Sequence, residues 1–378
     1  MNRDVPLLQR IPGWAMMLGA ILMSLLLTAL IVVAVGASPG EVLEKILEGI
    51  GLQFGQGAGL LDTDRFAGVV NFWIPLALVS VGLLVTFTAG LWNIGVEGQM
   101  MFGAIFASWA AREIMLPPVA QVPLELLAAA VGGALWGALT GILKTRGGVH
   151  EIFGGVALNN LANIYAIYLI SGPWQPPEGG SAQATPPFRA EALLVPVESF
   201  RISLVALALV IGGFLIVMVA LRGTRWGLQL KALGKSPRSA LLLGVPTERN
   251  AILAIAACGA LAGLAGAFRV LFTYDSLRPL ASGGIGFLGL LVVLLTGTGA
   301  WGIVSVPFVS AFFAAILAGS TRLKITLQLD QSLSGVLQGT LVLMIILGNG
   351  VRARIRGRRA APLPDAATAS PQEEAAHG

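Results

Sequence analysis

An all-α membrane protein with about ten crossing helices is the fold class this sequence predicts, and three observations predict it. Only 11% of the 378 residues are charged while 56% are hydrophobic, and the mean hydropathy is +0.82. A soluble domain carries about 25% charged residues, so this surface is made to face lipid. Apolar runs of about 20 residues, the length that crosses a bilayer, recur along the chain. Lys and Arg are distributed between those runs with the asymmetry expected of inner and outer loops.

The spans fall near 13–36, 67–91, 93–111, 122–143, 152–171, 202–221, 250–272, 284–299, 303–320 and 332–350. The first follows Arg3 and Arg10, and its apolar core exceeds the roughly 7–15 residues of a cleaved leader, which predicts a retained helix. The second and third meet at Trp92-Asn93, and the eighth and ninth at Ala300-Trp301-Gly302, so each pair is a hairpin or a discontinuous helix. With the N-terminus inside, fifteen of the 24 Lys and Arg fall on inner segments, eight on outer ones and Arg269 within a span. That bias places both termini in the cytoplasm. Residues 1–350 form one transmembrane domain, with a Pro- and Gly-rich external loop at 171–200 and a long cytoplasmic connection at 222–250. The acids Glu41, Glu44, Glu48, Asp62 and Asp64 gather in the outer segment before the second span. Residues 351–378 read as a basic, then disordered, cytoplasmic tail.

Several catalytic patterns fail on their context. Gly36-Ala37-Ser38-Pro39-Gly40 has the spacing of a nucleophile elbow, yet a membrane span precedes it where a strand is required. Gly297-Thr298-Gly299-Ala300-Trp301-Gly302 has the dinucleotide spacing without the acidic residue about 20 positions on. Gly234-Lys235-Ser236 ends like a phosphate loop, but Gln229 stands where the first glycine belongs. The chain thus has no nucleotide site of its own, and any ATP is bound by another subunit. Two histidines, His150 and His377, exclude an imidazole metal site, and no metal is expected. The lone Cys258 lies in an apolar run and reads as a small core residue. The net charge of +5 suits a polybasic face at lipid better than nucleic-acid binding.

Polar side chains inside hydrocarbon are costly and point to function. Asn93, Glu97 and Gln99 open the third span among Gly90, Gly95 and Gly98, and Glu97 is the only carboxylate expected deep in the bilayer. His150, Glu151, Asn159, Asn160 and Asn163 surround the fifth span, with Asn159 and Asn163 on one helical face. Both groups fit either interhelical glue or the lining and gating of a transport path. Arg269 is expected to snorkel from the end of its span. Gly133, Gly137 and Gly141, with Gly259, Gly263 and Gly266, form small-residue faces for close helix packing. In the 222–250 connection, Ser236 as cap, Pro237 at the first turn and Gly244 past the end predict a short helix. Its Leu241-Leu242-Leu243 run is exposed unless something docks on it, so the segment is a surface helix or a docking element.

Gly90-Leu91-Trp92-Asn93-Ile94-Gly95-Val96-Glu97-Gly98-Gln99 is similar to the G-L-F-N-I-G-x-E-G-Q stretch of one permease family. Gly148-Val149-His150-Glu151 resembles its G-x-x-E element, the run from Cys258 to Ala267 its S-G-x-L-A-G-L-A-G-A segment, and residues 236–245 its N-P-x-A-A-x-x-x-G-I loop. These are the permease subunits of ATP-binding-cassette importers for simple sugars and branched-chain amino acids, with the bacterial nucleoside permeases most similar. The likeness runs from about 67 to 350, and Arg238-Ser239-Ala240 departs from the usual acidic-Ala-Ala. It implies a plasma-membrane subunit without enzymatic activity. Its partners are an ATPase that binds the ATP, a second permease copy or relative, and an extracytoplasmic binding lipoprotein. It also implies coupling to the ATPase through Pro237, Arg238, Ser239, Ala240, Leu241 and Gly244. A ribose-like sugar or a branched-chain amino acid is the alternative cargo, and an ion-coupled transporter or channel the alternative class.

Overall fold

The computed structural model describes residues 13–34, 36–51, 62–177, 183–197, 200–326, 335–336, 338–340, 342–344 and 347. The tail at 351–378, Arg3, Arg10 and most of the expected last span at 332–350 lie outside the described residues. Within them every regular element is helical. In chain order these are α1 (Gly13–Ala34), α2 (Pro39–Ile50), α3 (Thr63–Thr88), α4 (Val96–Glu113), α5 (Pro118–Thr145), α6 (Glu151–Ser171) and α7 (Leu204–Gly223). They continue as α8 (Arg225–Lys235), α9 (Pro237–Leu242), α10 (Thr247–Phe268), α11 (Ile285–Thr296) and α12 (Ala300–Thr326).

By length and composition six helices can each cross a bilayer, or up to seven when α1 and α2, bent by 108°, count as one span. α11 has 12 residues. At 1.5 Å per residue it reaches only about 18 Å, well short of a hydrocarbon core. α4 carries Glu97 in its first turn and Arg112 in its last, which makes it less apolar than α3 or α5. At both junctions left open by hydropathy the helical backbone is interrupted: irregular backbone at 89–95 separates α3 from α4, and Gly297 (φ +71°) separates α11 from α12. The G-x-G-x-x-G pattern marks that second break.

The acidic segment before the second expected span contains a helix, α2, that the apolar runs do not mark. Pro39 starts the helix, Val42, Ile46 and Gly49 bury one face, and Gly51 ends it at φ 102°. Ser38 of the apparent nucleophile elbow stands at its N-cap position, with no side-chain cap bond. The 171–200 loop also gains some order. Its described residues hold a 3-10 turn at Ala190–Ala192 and bond back through Thr185 N–H to Leu277 O (3.0 Å), Phe188 N–H to Asp275 O (2.8 Å) and Leu194 N–H to Leu271 O (3.1 Å).

α10 is the centre of the bundle, packed on α5, α4 and α3, while α12 lies along α3 and α2. The approach of α10 is set by small residues. A Cβ on Gly133 would strike the Gly259 carbonyl, one on Gly263 the Ala129 carbonyl, and one on Gly103 the Gly263 backbone. Lipid supplies no hydrophobic drive for helix pairing, so this backbone-to-backbone contact does the holding through dispersion. Elsewhere the Trp73 indole N–H donates to Pro307 O at 2.9 Å, pinning α12 to α3. α6 and α7 are peripheral, with long apolar side chains such as Ile164, Tyr168 and Ile216 exposed.

Gly263→Val is expected to lower the Tm of the purified protein strongly, since overpacking costs about 1–3 kcal/mol even where side chains can shift, and here the obstacle is backbone. Gly212 is the control, because an added Cβ there would meet nothing within 4 Å. Equal tolerance of valine at both sites would contradict this packing.

Candidate functional site at the helix breaks

The break after α3 is built by Gly90, whose φ of +72° lets Leu91 N–H return to Thr86 O at 2.9 Å. The chain then turns Asn93 into the core. Its side chain and that of Gln99 form a reciprocal amide pair, Asn93 Nδ2 to Gln99 Oε1 at 2.9 Å and Gln99 Nε2 to Asn93 Oδ1 at 3.0 Å. Asn93 Nδ2 also reaches Cys258 Sγ on α10 at 3.2 Å. Both amides are almost completely buried. An amide left single there would cost about 1–3 kcal/mol, which is why the pair locks the break to α4 and α10.

α6 closes over the other side. Asn159 accepts from Gly98 N–H at 2.7 Å and donates to Ile94 O at 2.9 Å, satisfying one group on each side of the start of α4. The approach is possible because Gly155 faces Gly95, where a Cβ would meet backbone. Asn163, one turn on, accepts from Leu280 N–H at 2.8 Å in the segment before α11. The sharing of a face by Asn159 and Asn163 thus has a structural consequence: one helix grips both irregular segments. Asn160 points to neither and is exposed on the outer face of α6. His150 caps α6 through Ile152 N–H (3.4 Å), and Glu151 pairs with Lys144 at 2.7 Å.

Glu97 serves the second break from α4. Its Oε1 accepts from Phe287 N–H at 3.2 Å in the first turn of α11, with the Ser282 hydroxyl and the Gly284 and Gly286 amides as further donors. A carboxylate at a helix N-terminus complements the unpaired amides and the dipole of that helix. Arg269 lies opposite, within electrostatic range of Glu97. It does not snorkel. It begins a π-helical turn, Arg269–Thr273, that ends α10, and is buried with Nε donating to Ala281 O at 3.1 Å. Its guanidinium also donates to the Tyr274 hydroxyl and lies 4.5 Å from the Tyr274 ring centroid.

Glu97 is not the only deep carboxylate. Glu125, near the start of α5, is fully buried, accepts from Gln121 Nε2 at 2.7 Å, and has no partner for Oε2 among the described residues. Gln121 in turn bonds Ala110 O (3.2 Å) and Leu116 N–H (2.9 Å) at the end of α4. Spacing i, i+4 and a Pro at the helix start are the available signals in the sequence. Burial comes from the end of α4 and the returning 171–200 loop, which no local pattern reports.

The 236–245 segment folds as its signals predict. Ser236 Oγ accepts from Ser239 N–H at 3.3 Å, Pro237 opens α9, and Gly244 takes φ +79°. Ala240 is buried, while Arg238 and Ser239 are exposed and Leu241, Leu242 and Leu243 are 62%, 88% and 80% exposed. α9 is flanked by two firm supports. On one side Gly234 of α8 rests on Gly90 of the first break; on the other, α10 starts with Asn250 Nδ2 bonded to Gln229 Oε1 of α8 at 3.1 Å and with Glu248 paired to Arg146 at 2.6 Å.

Long apolar helices, polar groups gathered where the helical backbone is interrupted and an uncovered apolar helix at one end fit a multi-pass membrane protein. Comparison with known proteins gives the same class. Residues 65–347 match the family described as branched-chain amino acid transport system / permease component, and the chain belongs to it. It is 29% identical over 287 residues to the glucose ABC transporter permease protein TsgB13 of Haloferax volcanii, covering 72% of this chain and 73% of that one. It is 29% identical over 290 residues to the guanosine ABC transporter permease protein NupP of Bacillus subtilis, covering 75% and 82%. With the nucleoside ABC transporter permease protein NupB of Lactococcus lactis it shares 26% over 311 residues, 80% and 82% of the two chains.

Asn93→Leu is expected to destabilise the protein by about 1–3 kcal/mol through the orphaned Gln99 amide, whereas Asn160→Leu, on the exposed face, leaves the melting midpoint unchanged. Thermal unfolding in detergent compares them directly. Equal shifts would show that the amide pair does not hold the break.

Proposed function

We propose that this chain is half of the membrane path of an ATP-driven importer for nucleosides, seated in a bacterial plasma membrane with about ten spans and both termini inside. The observation that supports it most is the pairing of a rigid α10 core with an exposed leucine-rich α9 whose supports lead to the helix breaks. Docking of an ATPase on Arg238, Ser239, Leu241 and their neighbours covers the exposed leucines. Movement of α9 then passes through α8 to Gly90 and through Glu248 and α10 to the bundle. No nucleotide site is assigned to this chain; ATP belongs to the partner. A second permease, related or identical, completes the path against the open face of α6 that carries Asn160, and an extracytoplasmic lipoprotein delivers the cargo. Nucleosides are preferred because the guanosine and nucleoside permeases match over most of both chains. The glucose permease relative keeps a simple sugar as the second reading.

Proteoliposomes holding this chain with its ATPase, partner permease and binding protein are expected to accumulate labelled guanosine only with ATP, with unlabelled nucleosides competing and ribose, glucose and leucine not. Uptake driven by an ion gradient without ATP would overturn the class. In the same assay Gly244→Val is expected to leave ATP hydrolysis running while uptake falls severalfold, because valine is strained at φ +79° and misforms the end of α9. Unchanged uptake would remove the coupling role of that segment.

A further inference from the structure

Between α4, α5 and α6, in the half of the bundle away from α9, lies a cleft of about 660 Å³ whose walls are almost entirely aromatic and aliphatic. That volume is within the range of small-molecule sites, about 300–1,000 Å³. Phe102 stacks on Trp136 with centroids 3.7 Å apart and planes at 13°, Tyr165 continues the stack at 5.8 Å and 17°, and Tyr168 extends it at 6.2 Å and 23°. Four nearly parallel rings thus lead from the core to the open face of α6, where Tyr165 is 43% and Tyr168 62% exposed. Trp174, which also lines the cleft, carries the Arg112 guanidinium 5.6 Å from its ring centroid.

We propose that this cleft is a stacking site for the planar base of a nucleoside, selecting for the presence of a base and not for its identity. The inference rests on the reading of the α6 open face as part of the transport path. Flat rings at the end of a stack offer a π face, and every nucleobase has one. The Trp136 indole nitrogen lies against Gly98, buried and without a hydrogen-bond partner among the described residues, and the polar groups at the outer end of the stack are the Tyr165 and Tyr168 hydroxyls. Stacking on these rings uses the π face that all bases share, so it does not distinguish one base from another. A free sugar fits poorly. It has no flat π face to set against the rings, so it forgoes the stacking that a base gains.

The test uses the reconstituted importer with labelled adenosine and cytidine, a purine and a pyrimidine. Tyr165→Leu, which keeps an apolar side chain without a ring, is expected to raise KM about tenfold for both, while Tyr165→Phe stays within about twofold of the parent. Photolysis of wild-type complex with 8-azidoadenosine is expected to label peptides holding Phe102, Trp136 or Tyr165, which gives a readout independent of any variant. If the parent transports nucleosides but Tyr165→Leu leaves both KM values unchanged and the label falls elsewhere, the stacking site is wrong and the importer reading stands. A KM rise for one base only would overturn the lack of base selectivity. ATP-driven uptake of a free sugar and no nucleoside would overturn both.

Discussion

The backbone-to-backbone approach of α10 to α4 and α5 is the constraint that sets every other helix in place. Glycines at 103, 133, 259 and 263 bring peptide units into contact where any side chain would hold them apart. In a bilayer that contact is decisive, because water exclusion offers nothing for one apolar helix over another. Its register brings Cys258 to Asn93 and Arg269 to the start of α11. Loosening the crossing by the width of a methyl group would withdraw both partners.

Around this fixed core the structure places its irregular backbone, and it treats each irregular stretch alike. Side chains from neighbouring helices satisfy the irregular backbone: Asn159 at the first break, Glu97, Asn163 and Arg269 near the second. Non-helical backbone at membrane depth is tolerated when protein encloses it in this way. It is also where a helix can change direction at low cost. Under the importer reading, the contact of Gly234 with Gly90 and the Arg146–Glu248 pair connect the α9 end to both the first break and the core. The mobile parts are then the breaks and their supports, and the glycine crossing is the pivot.

Much of this is legible in the sequence, for reasons that can be named. Small residues at a spacing of four, as in Gly133, Gly137 and Gly141, announce a close crossing because packing needs them on one helical stripe. Ser236, Pro237 and Gly244 announce α9 because cap, first turn and left-handed exit are local demands. The motif residues Asn93, Glu97 and Gln99 stand out from their surroundings, yet their partners do not. Cys258, Ser282 and Phe287 lie far along the chain and carry no signal of pairing. α2 is hidden because its acids interrupt the apolar pattern used to find spans, although Pro39, the Val42–Ile46 stripe and Gly51 are sufficient to predict a helix. Glu125 is hidden because its burial is supplied by the end of α4, and Arg269 because hydropathy cannot tell a buried cation beside Tyr274 from one reaching for a headgroup.

Under the importer reading, a rigid glycine crossing flanked by responsive breaks has a direct signature in amide hydrogen exchange on the complex with the ATPase, measured with and without ATP. Slow exchange is expected in both states for residues 255–266 of α10 and 129–141 of α5, with ATP-dependent changes at 89–95, 236–246 and 282–287. Changes concentrated in the α10–α5 crossing, with the three irregular segments unaltered, would show that the crossing moves and the breaks do not.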